Sequence, residues 1–597
     1  MIKLAKKIDL KIIFSACLIT AVIIVAFLPC LKNGFVNWDD GIYVTNNPVI
    51  QKISPENIRH IFGSFFISNY QPFTILSYLC EYHFFGSAPY GYHLISLILH
   101  LLNACLVFWL VYLLSRKTGV SVITALLFAV HPLHVESVAW ISERKDVLYA
   151  LFFLASLIGY LYSLRTPKPG KYYCLSLILF IFSLLSKAMA ITLPAVLLSI
   201  DYLTGRKPDK KMFVEKIPFF VLSCVFSVIA VLGQYSSGAM RENITGALDK
   251  LAVAAYSIAF YLTKIFMPVK LACLYPRMEA RLSPELLVLP ALYLILCIGL
   301  FLSARYRKKA VFGNAFFLIT VLPVLQFVPI GETLVADRYV YLPALGIFYL
   351  VAEFLVGLIQ DTPKLKRTAG RILLVFLTCA LGAMVLLTRQ RCGTWKDSLT
   401  LWNDVVDKYP DAVMAYNNRA LAFVEKKEYN QAIADFSYVL NFVSDADRRG
   451  IYLYLIDLYR AAGKKEEAGQ IYNKLKEIDA KLPLQNERMQ AAGRGAEAVG
   501  LYKKALETDP RNVVLLNELG KAYLLAGRFN AAAGEFQKAL AVDAGLAAVH
   551  NNLALAYYYQ KNYPLAVRHC DKAIALGYAV SPKLLDMLKP YREEEIK

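Results

Sequence analysis

Cys-x-x-Cys is absent from this 597-residue chain, although it holds 11 cysteines. No Cys/His spacing resembles a metal site either, so neither a dithiol nor a structural metal organises the fold. Most cysteines, such as Cys17, Cys105, Cys224, Cys297 and Cys379, fall inside apolar runs, where the thiol behaves as a small hydrophobe. Charge is sparse at 18% of residues, and acid is scarcest where the chain is most apolar. Met1 to Trp395 holds 37 Lys+Arg against 19 Asp+Glu, whereas the remainder holds 28 against 26. A basic excess raises nucleic acid as a partner. Here it sits in short clusters between apolar runs, the positive-inside pattern of a membrane protein, and no nucleic-acid partner is expected.

The first apolar run, 12–31, has the ~20 residues a helix needs to cross a bilayer. It is too long for a signal peptide and no small-residue cleavage site follows it. Lys3, Lys6, Lys7 and Lys11 before it predict a cytoplasmic N-terminus. Basic clusters recur at Arg116-Lys117, Arg165 to Lys171, Arg206 to Lys216, Arg305 to Lys309 and Lys364 to Arg371. If all are cytoplasmic, the helices between them come in pairs. The assignment is 12–31, 92–114, 119–133, 146–164, 172–186, 189–204, 216–234, 285–304, 311–329, 339–359 and 371–388, about eleven spans. Segment 251–267 is read as a re-entrant or interfacial helix, because counting it would reverse the next basic loop. An odd number of spans puts the C-terminal part outside the cytoplasm. The same topology gathers Asp39, Asp40, Glu56, Glu136, Glu143, Asp146, Glu242, Asp249, Glu279, Glu332 and Asp337 in or near outer loops.

After Arg389 the pattern turns amphipathic with a period near 34 residues. Aligning 511–544 with 545–578 matches Asn517 with Asn551, Leu519 with Leu553, Ala522 with Ala556, Tyr523 with Tyr557, Ala532 with Ala566 and Ala539 with Ala573. Small and aromatic residues at those positions mark tetratricopeptide repeats. Earlier units start near Ala412 and Ala446, and a degenerate one covers 481–510. The expected fold is all-α: a polytopic membrane domain at 1–390, a connector helix at 391–411, about five repeats at 412–580 and a tail at 581–597. No nucleophile–base set or Gly-rich loop appears in the repeats, so they read as a scaffold gripping an extended polypeptide.

Asp39 and Asp40 follow the first span in Phe35-Val36-Asn37-Trp38-Asp39-Asp40. They fit a turn or helix cap or a base whose pKa is raised by its neighbour and by burial. His131, His134 and Glu136 in HPLHVE could hold a metal, but Pro132 breaks the helix that would align them; a polar network around sugar is the alternative. Arg144 and Lys145 could balance phosphate or snorkel. Lys187 and Arg338, cations between apolar runs, are functional candidates by position. Arg338 is preferred as a phosphate clamp for its fork, its alternative being an ion pair with Asp337 or Glu332.

The motifs HPLHVESVAWISERKD, LLSKAMAITLPA and ADRYVYLPALG, after Asp39-Asp40 and before the repeats, occur in an order that resembles the transmembrane-and-tetratricopeptide-repeat O-mannosyltransferases, and more broadly the GT-C glycosyltransferases. The resemblance implies inverting transfer of a sugar from a polyprenyl-phosphate donor to Ser or Thr hydroxyls of an extracytoplasmic acceptor polypeptide held by the repeats. The acidic motif falls on Asp39 and Asp40, either of which is the base. Donor phosphate falls to Arg338, Lys187 and Arg144. His131, His134, Glu136, Asp337 and Tyr339 form the sugar and acceptor network. Asp337 departs from the family's Glu before Arg338. No metal or other cofactor is required. The rivals are transfer to a lipid or envelope glycan, and a non-catalytic membrane-anchored scaffold. A single Asn243-Ile244-Thr245 sequon and a C-terminus without an ER-retention ending favour a bacterial inner membrane with outward repeats over the ER.

Overall fold

The computed structural model describes residues 10–236, 246–276, 284–328, 333–361, 366–481, 512–525, 527–578 and 580–592, with isolated positions between 499 and 510. Glu242, Glu279, Glu332, the Asn243 sequon and most of the degenerate repeat lie outside them. The described residues form helices joined by short loops, with one isolated antiparallel bridge between Phe66 and Asn69. The chain divides into two compact units, Met1–Val443 with Asp457–Lys465, and Ser444–Ile456 with Glu466–Lys597. The first unit therefore includes the opening repeat as well as the membrane helices.

In chain order the first unit holds α1 (Leu10–Phe27), α2 (Pro55–Gly63), α3 (Pro72–Phe85), α4 (Pro89–Ser115), α5 (Thr118–Val130), α6 (Val135–Ala139) and α7 (Arg144–Ser163). It continues with α8 (Pro169–Ser186), α9 (Leu193–Thr204), α10 (Lys210–Val214), α11 (Ile217–Ser236), α12 (Ala247–Phe266), α13 (Pro284–Leu302), α14 (Arg307–Val321), α15 (Ala344–Asp361) and α16 (Lys366–Thr394). Then come α17 (Ser398–Lys408), α18 (Val413–Glu425) and α19 (Tyr429–Val439).

Among the described residues six helices are long and apolar enough to span a bilayer, or seven if α5 and the 53°-bent segment Pro132–Ala139 count as one. This corrects the expected eleven. Hydropathy registers composition, but several apolar stretches are interrupted. Ala188–Thr204, Leu287–Leu302 and Ala344–Leu358 form shorter helices, and at 1.5 Å per residue they do not cover a core of ~30 Å. The parity argument for the side of the repeats lapses with the count. Segment 251–267 falls, up to Phe266, in the single helix α12, which is not among the six.

The helix ends nevertheless sort by charge. Lys117 and Lys309 both pair with Glu353, tying the α4–α5 turn and the start of α14 to the middle of α15. At the other end of α5, Arg389 Nη1 donates to Val25 O at 2.9 Å and Thr388 Oγ1 to Val130 O at 2.7 Å, so α1, α5 and α16 finish together. Helix α16 delivers α17 and α18 directly to the loop after α1.

In the second unit the aligned small and aromatic positions are the packed ones. Ala532, Ala539, Ala566 and Ala573 are fully buried, and Ala522, Tyr523, Ala556 and Tyr557 are buried with them. Alanine lets paired helices approach and the tyrosine ring fills the space between neighbouring pairs.

Candidate functional site

The two adjacent aspartates have different environments. Asp40 is 1% exposed and accepts hydrogen bonds from Val36 N at 2.9 Å, Ser142 N at 3.1 Å and Ser142 Oγ at 2.5 Å. Burial pushes its pKa up to about 6 against the pull of these donors. Its carboxylate thus pins the loop after α1 to the turn before α7. Asp39 is only partly buried, and its carboxylate makes no hydrogen bond with the described residues. Burial raises its pKa, Lys145 and Arg338 oppose that rise, and Glu143 adds to it.

Around Asp39 lies a lattice of charges drawn from distant segments. Glu143 Oε1 is 3.1 Å from Lys145 Nζ and 3.2 Å from Arg338 Nε, and its Oε2 is 3.6 Å from Lys187 Nζ. Arg338 also pairs with Glu136, and Lys187 with Asp146, whose other oxygen accepts from Ser137 Oγ at 2.9 Å. Trp38 stacks on Trp140 at 4.5 Å, and the Arg338 guanidinium sits over both rings at 5.8 and 5.5 Å. Three cations converging on buried acids through aromatic and ionic contacts hold their side chains in fixed directions, which suits an electrostatic site.

Lys145 and Lys187 line one end of a small pocket of about 40 Å³, with Gln71 beside them. Leu184, Phe226 and Ile229 from α8 and α11 form its apolar wall. Local folding explains the lysines. Helix α8 ends at Ser186, whose carbonyl accepts from Thr74 Oγ1 at 3.0 Å, and Lys187 follows in extended backbone before a short 3-10 turn. Lys145 leaves the first turn of α7, its ammonium 5.3 Å from the centre of the Tyr43 ring.

Several expected site residues stand elsewhere. Arg144 is fully buried, paired with Glu81 and donating to Ser96 Oγ at 3.0 Å and Tyr92 O at 2.6 Å. It locks α7 to α3 and α4 and offers nothing to a donor phosphate; its neighbour Lys145 faces the cavity. Arg338 does not line that cavity and is already neutralised by Glu136 and Glu143. His131 contacts Ile265 O through Nε2 at 2.9 Å and accepts from Leu133 N through Nδ1. His134 Nδ1 lies 2.7 Å from Phe128 O. Both rings are fully buried and shape the α5–α6 break. Asp337 accepts from Tyr275 Oη at 2.6 Å, and Tyr339 lies against Arg338. Glu136 does join the lattice, as the partner of Arg338. Lys145 stands where the sequence offers it beside Arg144 as a phosphate partner, whereas Glu143, Trp38 and Gln71 have no expected role. The Trp38 ring and the third cation beside Glu143 carry no signal in the sequence beyond adjacency to Asp39 and Arg144.

Helices long enough to span a bilayer, a partly buried carboxylate under the influence of a lysine that lines a half-apolar pocket, and an appended repeat array define an integral membrane protein with a tetratricopeptide extension. Tetratricopeptide-repeat family models match residues 391–448 and 489–556. The Caenorhabditis elegans protein named Protein O-mannosyl-transferase F38B6.6 is 25% identical over 457 residues, 70% of this chain and 62% of its own length. Mouse Protein O-mannosyl-transferase TMTC4 is 27% identical over 453 residues, 64% of this chain and 60% of its own. The chain thus spans about three-fifths of the length of these relatives. The oligosaccharyltransferase of Archaeoglobus fulgidus aligns over 70% of this chain and 59% of its own at 12% identity, with a TM-score of 0.39. That distant likeness leaves the fold to be argued from the helices themselves. With its membrane half and its repeats, the chain is similar to these proteins over about three-fifths of their length.

Proposed function

We propose that the protein is an inverting glycosyltransferase that moves a sugar, mannose by analogy with the names of its relatives, from a polyprenyl-phosphate donor to Ser or Thr hydroxyls of a polypeptide. The observation that carries this reading is the open carboxylate of Asp39 beside Lys145, which together with Lys187 lines a cavity with an apolar wall. Two ammonium groups suit a lipid phosphate, and the wall of α8 and α11 suits its isoprenoid chain. Asp39 takes the proton from the acceptor hydroxyl as its oxygen attacks the anomeric carbon. The bond from that carbon to the phosphate oxygen breaks on the opposite face. Lys145 and Lys187 stabilise the negative charge on the departing phosphate, a role that preorganised groups fill without rearrangement. Glu143, Asp146 and Glu136 hold the cations in place. The repeats present the acceptor polypeptide, at the outer face of a bacterial inner membrane.

The test is transfer from polyprenyl-phosphate mannose to a Ser/Thr-rich peptide by purified full-length protein. Asp39→Asn is expected to lose about 10²–10⁴ in rate, the usual worth of a general base, with donor binding retained. Full activity in Asp39→Asn sinks the assignment.

A further inference from the structure

Asn37 stands two residues before Asp39, and its polar groups are taken by residues hundreds of positions away. Its backbone N–H donates to Ser398 Oγ at 2.9 Å, and its Nδ2 to Asn418 O at 2.8 Å. Its Oδ1 accepts from Trp402 Nε1 at 2.7 Å. Ser398 and Trp402 belong to α17, and Asn418 to α18, the first helix of the opening repeat. The contact continues on both sides. Gly34 N donates to Lys396 O at 2.8 Å, and Trp38 meets the fully buried Trp402 ring at 5.3 Å.

We propose that Asn37 is a positioning residue through which α17 and α18 hold Asp39 in place, making the opening repeat a component of the catalytic unit. The proposal rests on the reading of Asp39 as the base. The turn that carries Asp39 has two anchors. Asp40 fixes it to Ser142 on the membrane-helix side, and Asn37 fixes it to the repeat side. The Asp39 carboxylate lies between them with no hydrogen bond among the described residues, so its direction is set by its neighbours. A misplacement of about 1 Å at a reacting group costs about 10²-fold in rate. The Asn37 amide is the group that both α17 and α18 grip, so its loss releases one anchor and leaves the other.

Full-length protein is assayed with polyprenyl-phosphate mannose and a Ser/Thr-rich peptide, alongside amide hydrogen exchange over residues 36–43. Asn37→Ala is expected to lower kcat by about 10–100-fold with the KM for the lipid donor unchanged, since Lys145 and Lys187 are not touched. Trp402→Phe removes the indole N–H together with the pyrrole part of the ring and keeps an aromatic ring in place, so it lowers kcat less, and the double variant is no worse in kcat than Asn37→Ala because both break the same bond. Exchange over 36–43 quickens in both single variants by more than any uniform quickening elsewhere that the smaller ring at the fully buried position 402 causes. Wild-type kcat and unchanged exchange in both variants, with Asp39→Asn inactive, overturn the proposal and leave the base assignment standing. If Asp39→Asn keeps full activity, that assignment fails instead. Unchanged exchange then still overturns the anchoring, and quickened exchange keeps the anchoring without its catalytic part.

Discussion

Ser142 donates both its backbone N–H and its hydroxyl to a single oxygen of Asp40, across 102 positions of sequence. That pair makes Asp40 an anchor and gives its titration a sign. Its folded-state pKa is raised from 3.8 to about 6 by burial. A carboxyl raised in this way favours the folded state below its unfolded pKa, and the advantage is lost as pH rises through about 4 to 6. A rise of that size corresponds to about 3 kcal/mol. Asp40→Asn abolishes the titration and leaves one amide donor facing another, so at pH 4 it is expected to be less stable than wild type by about 1–3 kcal/mol. By pH 7 that gap shrinks by about 3 kcal/mol. Denaturation of both proteins in detergent at the two pH values measures it; a gap independent of pH refutes the assignment.

Asp39 predicts a different pH effect, on rate. Transfer needs its carboxylate ionised, and burial raises its pKa. The acidic limb of kcat/KM, which reports the free enzyme, is therefore expected above the ordinary carboxylate range. Lys145 is the strongest influence pulling that pKa down. Lys145→Met should move the limb to higher pH, and Glu143→Gln, which removes a raising charge, should move it lower. Amplitudes will fall in both variants, so the position of the limb is the quantity to compare. Shifts in the same direction for the two variants would contradict the geometry.

Arg144 and Glu81 form a buried pair with side chains 0% and 6% exposed. Removing one member strands the other charge in an apolar setting, a loss of about 3–5 kcal/mol. Arg144→Met is expected to express poorly and melt early, and Arg144→Met combined with Glu81→Leu to recover much of that loss. Lys187→Met leaves Asp146 with Ser137 Oγ and Glu143 with Lys145 and Arg338 as partners, so it should lose less stability and show a raised KM for the lipid donor. A well-folded Arg144→Met with weakened donor affinity alone would return Arg144 to the phosphate site.

Adjacent residues at the start of α7 show where legibility ends. Arg144 and Lys145 read alike in the sequence, yet successive side chains on a helix point about 100° apart. One enters the α3–α4 interface and the other the cavity, and no spacing rule says which. The same holds for Asp39 and Asp40, separated only by where Ser142 and Val36 happen to lie. Charges isolated between apolar runs were legible, because a cation such as Lys187 or Arg338 needs a partner or a task to sit there. The repeats were legible because Ala522, Tyr523 and Ala532 return one period later at Ala556, Tyr557 and Ala566. Span number was not, since hydropathy marks an apolar helix such as Ala188–Thr204 without saying whether it is long enough to cross.

Helix α15 begins just after the loop that carries Arg338, and its crossing with α14 is set by two glycines. A Cβ on Gly346 would lie 2.3 Å from Gly313 O and 3.0 Å from Phe317 N. Both are backbone atoms of α14, so neither can rotate away, and the close approach depends on the missing side chain as in small-residue membrane crossings. Gly346→Ala is expected to force α14 and α15 apart at a cost of about 1–3 kcal/mol. Because α15 positions the Asp337–Tyr341 segment, activity should fall more steeply than stability. A Cβ on Gly299, in α13, would meet nothing within 4 Å. Gly299→Ala should therefore keep stability within about 0.5 kcal/mol of wild type or raise it, since alanine is the better helix former. Melting curves and transfer assays on the two alanine variants separate the crossing from any general effect of losing a glycine: equal behaviour would mean that the α14–α15 contact does not set the position of Arg338.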